Sequence, residues 1–68
     1  MGREYRIKEI RELFHVSQKE LAELAEISQP YLHDLENGKR GAKPETLQRI
    51  AVALGVTVNN LKVEKEAG

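Results

Sequence analysis

The sequence predicts an all-α fold, a compact bundle of five helices. Three observations carry that prediction. Apolar residues recur at steps of three and four along most of the chain, the spacing that lines one face of a helix. Start and stop signals alternate: Ser17 with Glu20, Ser28 with Pro30, Pro44 and Thr57 open helices, while Gly38 and Gly55 close them. The length of 68 residues fits one domain, residues 1–68, near the lower limit for a self-sufficient core. With one Phe, two Tyr and no Trp, that core must be aliphatic.

The first helix is expected from Glu4 to Phe14, with Ile7, Ile10, Leu13 and Phe14 as its apolar stripe. Arg11 falls inside the stripe, where the plain reading is a packed stem with its head in water. His15 ends this helix. The second opens on a capping box: the Ser17 hydroxyl accepts from the Glu20 amide, and the Glu20 carboxylate reaches back. Val16 can staple against Leu21, and Leu21, Ala22 and Ala25 face inward, the alanines allowing close approach of a crossing helix. A short turn, 26–28, follows, with Ile27 as a core plug and Ser28 as the next cap. The unit of two helices and a tight turn covers about residues 17–38.

In the third helix Pro30 sits in the first turn, where a missing amide hydrogen costs little. Leu32 and Leu35 point inward; Pro30, His33, Asp34 and Asn37 lie on the outer face, with Gln29 at the leading end. Gly38 stops the helix and 39–43 form a basic loop. Pro44 opens the fourth helix, with Glu45 at its positive end and Leu47, Ile50, Ala51 and Leu54 as its buried stripe. Gly55 ends it, and Thr57 caps a last short helix through Val58 and Leu61. Residues 64–68 are expected to be a frayed tail.

Composition narrows function by exclusion. There is no cysteine, so disulfides and thiolate metal sites are out. His15 and His33 lack a helical metal spacing, and no metal or other cofactor is expected. Without a Ser–His–Asp arrangement, a Gly-rich phosphate loop or room for a sizeable pocket, an enzyme is not expected. The longest apolar run, Ile50 to Leu54, is far too short to span a membrane, and no signal peptide is visible. The formal net charge is zero, from eleven basic and eleven acidic residues, but it is unevenly spread. Residues 17–38 carry one basic and five acidic groups; residues 39–49 carry four basic and one acidic. Positive charge thus gathers just after the third helix, where it can grip phosphate. Paired helices of this kind dock the second into the DNA major groove.

These residues resemble the helix–turn–helix domains of phage repressors and Cro proteins, including the xenobiotic-response-element-like bacterial regulators. The resemblance covers about residues 5–61. It rests on Ser17-Gln18, Glu20-Leu21-Ala22, Ile27-Ser28, Leu32, Leu35-Glu36-Asn37-Gly38-Lys39, Leu47, Ile50-Ala51 and Ala53-Leu54-Gly55-Val56 taken together. It implies sequence-specific binding of double-stranded DNA in transcription regulation, commonly repression, in the cytoplasm of a bacterium or of a phage host. It also implies a buried ion pair between Arg11 and Glu36. By position, Gln29, Pro30 and Asp34 match base-reading sites, and Gln18, Lys39, Arg40 and Lys43 match phosphate-contacting ones. Apart from the resemblance, His33 joins the base-reading face, and Asn37 and Tyr31 join the phosphate contacts, with Tyr31 equally readable as a half-buried flank.

The chain departs from the family pattern at several points. Glu26 and His15 stand where Gly is common, and both are expected to need positive φ, at a cost of about 1 kcal/mol. Pro30 has no side-chain hydrogen-bonding group, and Asp34 would repel phosphate unless it met a cytosine amino group. Outside a helix–turn–helix, Gln29, His33 and Asp34 would read as a solvated face. The expected partner is an inverted-repeat operator, bound by a weak homodimer built around Val52, Val56, Val58, Leu61 and Val63, some of which must be core, so that the free patch is small. The rival reading is a protein-interaction module with a regulatory protein partner, which zero net charge and the acidic 17–38 segment favour.

Overall fold

Four helices of this chain end in the same way, and those endings set the path of the backbone. His15, Glu26, Gly38 and Gly55 take left-handed conformations, with φ of 59°, 60°, 73° and 74°. The next amide in each case bonds five residues back: Val16 to the Arg11 carbonyl at 3.0 Å, Ile27 to Ala22 at 3.0 Å, Lys39 to Asp34 at 2.9 Å and Val56 to Ala51 at 2.9 Å. This is the Schellman closure, which satisfies carbonyls a helix end leaves free. Val16, Ile27 and Val56, the apolar residues just beyond three of the turns, rest against the core. The expected positive φ at His15 and Glu26 is therefore present.

The computed structural model describes residues 5–62. Among them it forms α1 (Ile7–Leu13), α2 (Gln18–Ala25), α3 (Gln29–Glu36), α4 (Pro44–Leu54) and α5 (Val58–Leu61). The starts follow the caps. Ser17 and Glu20 exchange bonds of 3.0 Å in a capping box, and the amide and hydroxyl of Ser17 hold Glu20 below its ordinary carboxylate range. Ser28 Oγ accepts from Tyr31 N at 3.2 Å, and Thr57 Oγ1 accepts from Asn60 N at 3.2 Å. Pro44 begins α4 with no side-chain cap.

The core lies where α2 crosses α3 and α4, with α1 set against α3 and α5 against α4. Ile7, Leu21, Leu32, Leu35, Ile50 and Leu61 are fully buried, each contributing about 1.5–3 kcal/mol from removal of its surface from water. Ala22 and Ala25 are also buried, as close crossing requires. Leu47, Ile50, Ala51 and Leu54 form the buried stripe of α4.

Three features differ from the sequence expectation. The described part of α1 starts at Ile7, because Tyr5 pairs with Lys62 in an isolated antiparallel bridge and Arg6 N bonds to Leu61 O at 2.8 Å. Glu4 lies outside the described residues. Leu13 and Phe14 do not join the core: they are 71% and 45% exposed. The buried face of α1 is centred on Ile7 and Arg11. At 3.6 residues per turn Leu13 stands well away from that centre, and Phe14 is the C-cap, where the chain already turns off. Of the C-terminal aliphatic residues, shared by expectation between the core and a small free patch, Leu61 is fully buried and Val56 and Val58 are half-buried against the core, so the patch shrinks further than expected. Val52 is 68% exposed, and Val63 and the 64–68 tail lie outside the described residues.

Candidate nucleic-acid interface

At 100° per residue, α3 divides into an inner face, an outer face and two flanks. Leu32 and Leu35 hold the inner face. Pro30, His33 and Asn37 are exposed on the outer one, with Asp34 half-buried beside them. Gln29 and the buried Glu36 lie on the flank that meets α2; Tyr31 lies on the flank that meets the loop 39–43, toward which Asp34 reaches. Each flank carries its own polar cluster.

The first cluster is built on the ion pair. Arg11 Nε donates to Glu36 Oε2 at 2.8 Å and Nη2 to Oε1 at 3.2 Å, with Glu36 2% exposed. Arg11 Nη1 donates to the Val16 carbonyl at 2.9 Å. Hydrogen bonding to Glu36 raises the Arg11 pKa above its ordinary value, outweighing the opposite effect of burial. The packed-stem reading of Arg11 thus gives way to a charged head held inside. Two further bonds carry this cluster to the surface. Gln18 Nε2 donates to Glu36 Oε1 at 3.1 Å, and Gln29 Nε2 donates to Gln18 Oε1 at 3.2 Å. Gln18 and Glu36 carry separate expected roles in the sequence, and no local signal links them; only the crossing of α2 and α3 brings them together.

The second cluster surrounds Asp34. Arg40 Nε lies 3.6 Å from one carboxylate oxygen and His33 Nδ1 3.8 Å from the other. The Arg40 guanidinium also sits 5.7 Å from the centre of the Tyr31 ring, within cation–π range. The acidic charge on the outer face is therefore balanced by a neighbour six residues on.

The surface between these clusters is continuous. Gln18, Gln29, Pro30, His33 and Asp34 line one shallow groove. Ile27, Ser28, Pro30, Tyr31, Asp34, Arg40 and Lys43 line the next, so Pro30 and Asp34 belong to both. Asn37 and Lys39 line neither: Asn37 Nδ2 folds back to the His33 carbonyl at 2.7 Å, and Lys39 is exposed beyond the end of α3. Among the described residues no group of three or more His, Asp or Glu could hold a metal ion. Nor is any described helix long and apolar enough to cross a membrane.

A capped helix, a left-handed turn and a second helix that shows a polar face beside a basic loop define a helix–turn–helix unit. The chain belongs to the Helix-turn-helix family of phage repressors and related regulators, whose profile matches residues 7–61; its members are regulators, not enzymes. Among similar proteins, the HTH-type transcriptional regulator DdrOP3 of Deinococcus deserti is 43% identical over 56 residues, which is 82% of this chain and 43% of that protein. The ImmF control region 10 kDa protein of Bacillus phage phi105 is 39% identical over 57 residues, 84% of this chain and 63% of that protein. The chain therefore spans less than two thirds of the length of either. Of solved structures, the N-terminal DNA-binding domain of SinR from Bacillus subtilis is 32% identical, with 91% of each chain covered and a TM-score of 0.79. SinR in complex with DNA is 31% identical, covering 79% of this chain and 87% of that one, with a TM-score of 0.75.

Proposed function

We propose that this chain binds double-stranded DNA in a sequence-specific way and serves transcription regulation, acting as a repressor by occupying its operator. The observation that carries the reading is the continuous outer surface of α3. There Gln18, Gln29, Pro30, His33 and Asp34 share one groove, and Arg40 and Lys43 flank the next. An α-helix fits the B-DNA major groove, and side chains at its leading end reach base edges. Gln29 is suited to an adenine edge, Asp34 to a cytosine amino group, and the Pro30 ring to apolar contact with a thymine methyl. His33 extends the base-reading face. Gln18, Tyr31, Arg40 and Lys43 border it where phosphates would run, with Lys39 and Asn37 at its far end. SinR, solved with DNA, and DdrOP3, a transcriptional regulator, support the reading from outside.

The proposed operator is an inverted repeat, bound by a weak homodimer. Two copies of α3 would then enter successive major grooves about 34–36 Å apart. One half-site alone rarely supplies enough affinity against genomic competitors. Exposed Leu13, Phe14 and Val52 offer apolar surface for such pairing. That surface and the acidic 17–38 segment also support a second reading, a regulatory protein partner on the same fold.

Selection of bound sequences from a random duplex pool tests the proposal. Enrichment of an inverted repeat with half-sites about one helical turn apart is the expected outcome. A pool that stays random at moderate salt would remove the DNA reading and leave the protein-partner one.

A further inference from the structure

We infer that Glu36, acting through Gln18, fixes which end of the Gln29 amide faces the DNA, and so helps set base preference. The two ends of a glutamine amide are nearly alike in shape, and only their hydrogen-bond partners decide which points where. A carboxylate accepts and cannot donate. Glu36 Oε1 is buried and faces Gln18 at 3.1 Å, so only the NH2 end of Gln18 can meet it. The reverse orientation would set two acceptor oxygens together without a proton between them, a costly arrangement away from water. The carbonyl end of Gln18 is thereby turned outward, to the start of α3. There it accepts from Gln29 Nε2 at 3.2 Å. Gln29 is left with one amide hydrogen and its carbonyl oxygen, one donor and one acceptor. Adenine presents the matching pair in the major groove, an N7 acceptor and an N6 donor, whereas guanine presents two acceptors.

Arg11 belongs to the same device, because its guanidinium keeps the Glu36 carboxylate in place at 2.8 and 3.2 Å. Glu36 touches no base in this account and is a positioning residue. A buried ion pair that served stability alone would have no bearing on which base is preferred.

This inference rests on the proposed reading that Gln29 meets a base, and the test separates the two. The probe is the duplex selected by the wild-type protein, together with duplexes altered at the base pair where Gln29→Ala loses discrimination. Two variants of the full chain are compared with wild type by titration. Gln18→Met removes the relay while leaving the Arg11–Glu36 pair intact. Arg11→Met/Glu36→Leu removes its anchor and replaces the pair by apolar side chains. Each should lose about fivefold or more of the wild-type discrimination at that base pair, within the range a bidentate contact supplies. Loss of a phosphate contact by Gln18 would lower both affinities together and leave their ratio unchanged.

Wild-type discrimination in both variants, with Gln29→Ala still impaired, would overturn the inference and spare the base-reading role. If Gln29→Ala discriminates like wild type at every base pair, the base-reading role falls and the inference with it. Should the double variant fail to fold, Glu36→Gln takes its place, because its amide can donate as well as accept and no longer fixes the Gln18 amide; wild-type discrimination in that variant would overturn the inference.

Discussion

Replacing Arg11 by Met should be among the most damaging single changes in this protein, and the structure allows its size to be worked out. The Glu36 side chain is 1% exposed, so water cannot take the place of a lost partner. Among the described residues, Arg11 supplies two of the three side-chain donors that reach its carboxylate and Gln18 supplies the third. Removing one member of a buried ion pair costs about 3–5 kcal/mol, because the other charge stays behind unpaired. For 68 residues, a total stability of about 3–10 kcal/mol is expected from per-residue averages. The loss therefore runs from about a third of the stability to all of it. Arg11→Met/Glu36→Leu removes both charges together. What then remains unpaired, the Val16 carbonyl and the Gln18 amide, belongs to half-buried residues that can reach water. The double variant should stand within about 1–2 kcal/mol of wild type, since apolar replacement of a buried pair is often near neutral. Urea unfolding at neutral pH, with slopes checked for equality, measures all three proteins. A double variant no more stable than Arg11→Met would refute the reasoning, since it would show that the cost is not that of an isolated buried carboxylate.

Glu26→Gly should stabilise the protein, by about 1 kcal/mol at most, because Glu26 holds a left-handed conformation that glycine adopts freely. Thermal unfolding checks it, and a lower midpoint would contradict the strain. Leu61→Ala should cost about 2–5 kcal/mol at any protein concentration, since Leu61 is fully buried within one chain. A loss seen only at high concentration would place Leu61 in an interface. Neutralising Lys43 should weaken binding to all duplexes alike and flatten the salt dependence by about one unit. Arg40→Gln should cost more than Lys43→Gln, because it also leaves Asp34 without the cation 3.6 Å away; equal losses would show that Asp34 stays clear of the phosphates.

Much of the fold was legible because it is written in local signals. The Ser17–Glu20 box, the Ser28 and Thr57 caps and the stops at Gly38 and Gly55 each act within a few residues, and each stands where the sequence put it. The inward stripe of α4 was equally plain, because all four of its predicted residues are buried. Periodicity fails where it must say which face the rest of the chain will cover. It gives Leu13 and Phe14 the same standing as Ile7 and Ile10, although α1 buries Ile7 and Arg11, rests Ile10 against the core and leaves Leu13 and Phe14 exposed. The start of α1 was misjudged for a related reason: Tyr5 and Arg6 are drawn into pairing with residues more than fifty positions away. At the candidate interface the outer-face residues were readable from helix geometry. The contacts of Gln18 with Glu36 and of Asp34 with Arg40 were not, since they depend on how α2 crosses α3 and how the loop folds back.

The most direct test of the central claim is a titration of isotopically labelled protein with its selected duplex, followed by backbone and side-chain amide resonances. The account predicts the largest shifts at the side-chain amides of Gln18 and Gln29 and at the backbone amides of Tyr31, His33, Asp34, Arg40 and Lys43. Val52, exposed on α4 and lining neither groove, should move only through pairing of two copies on the duplex. Shifts centred on Leu13 and Phe14, with the outer face of α3 unmoved, would contradict it.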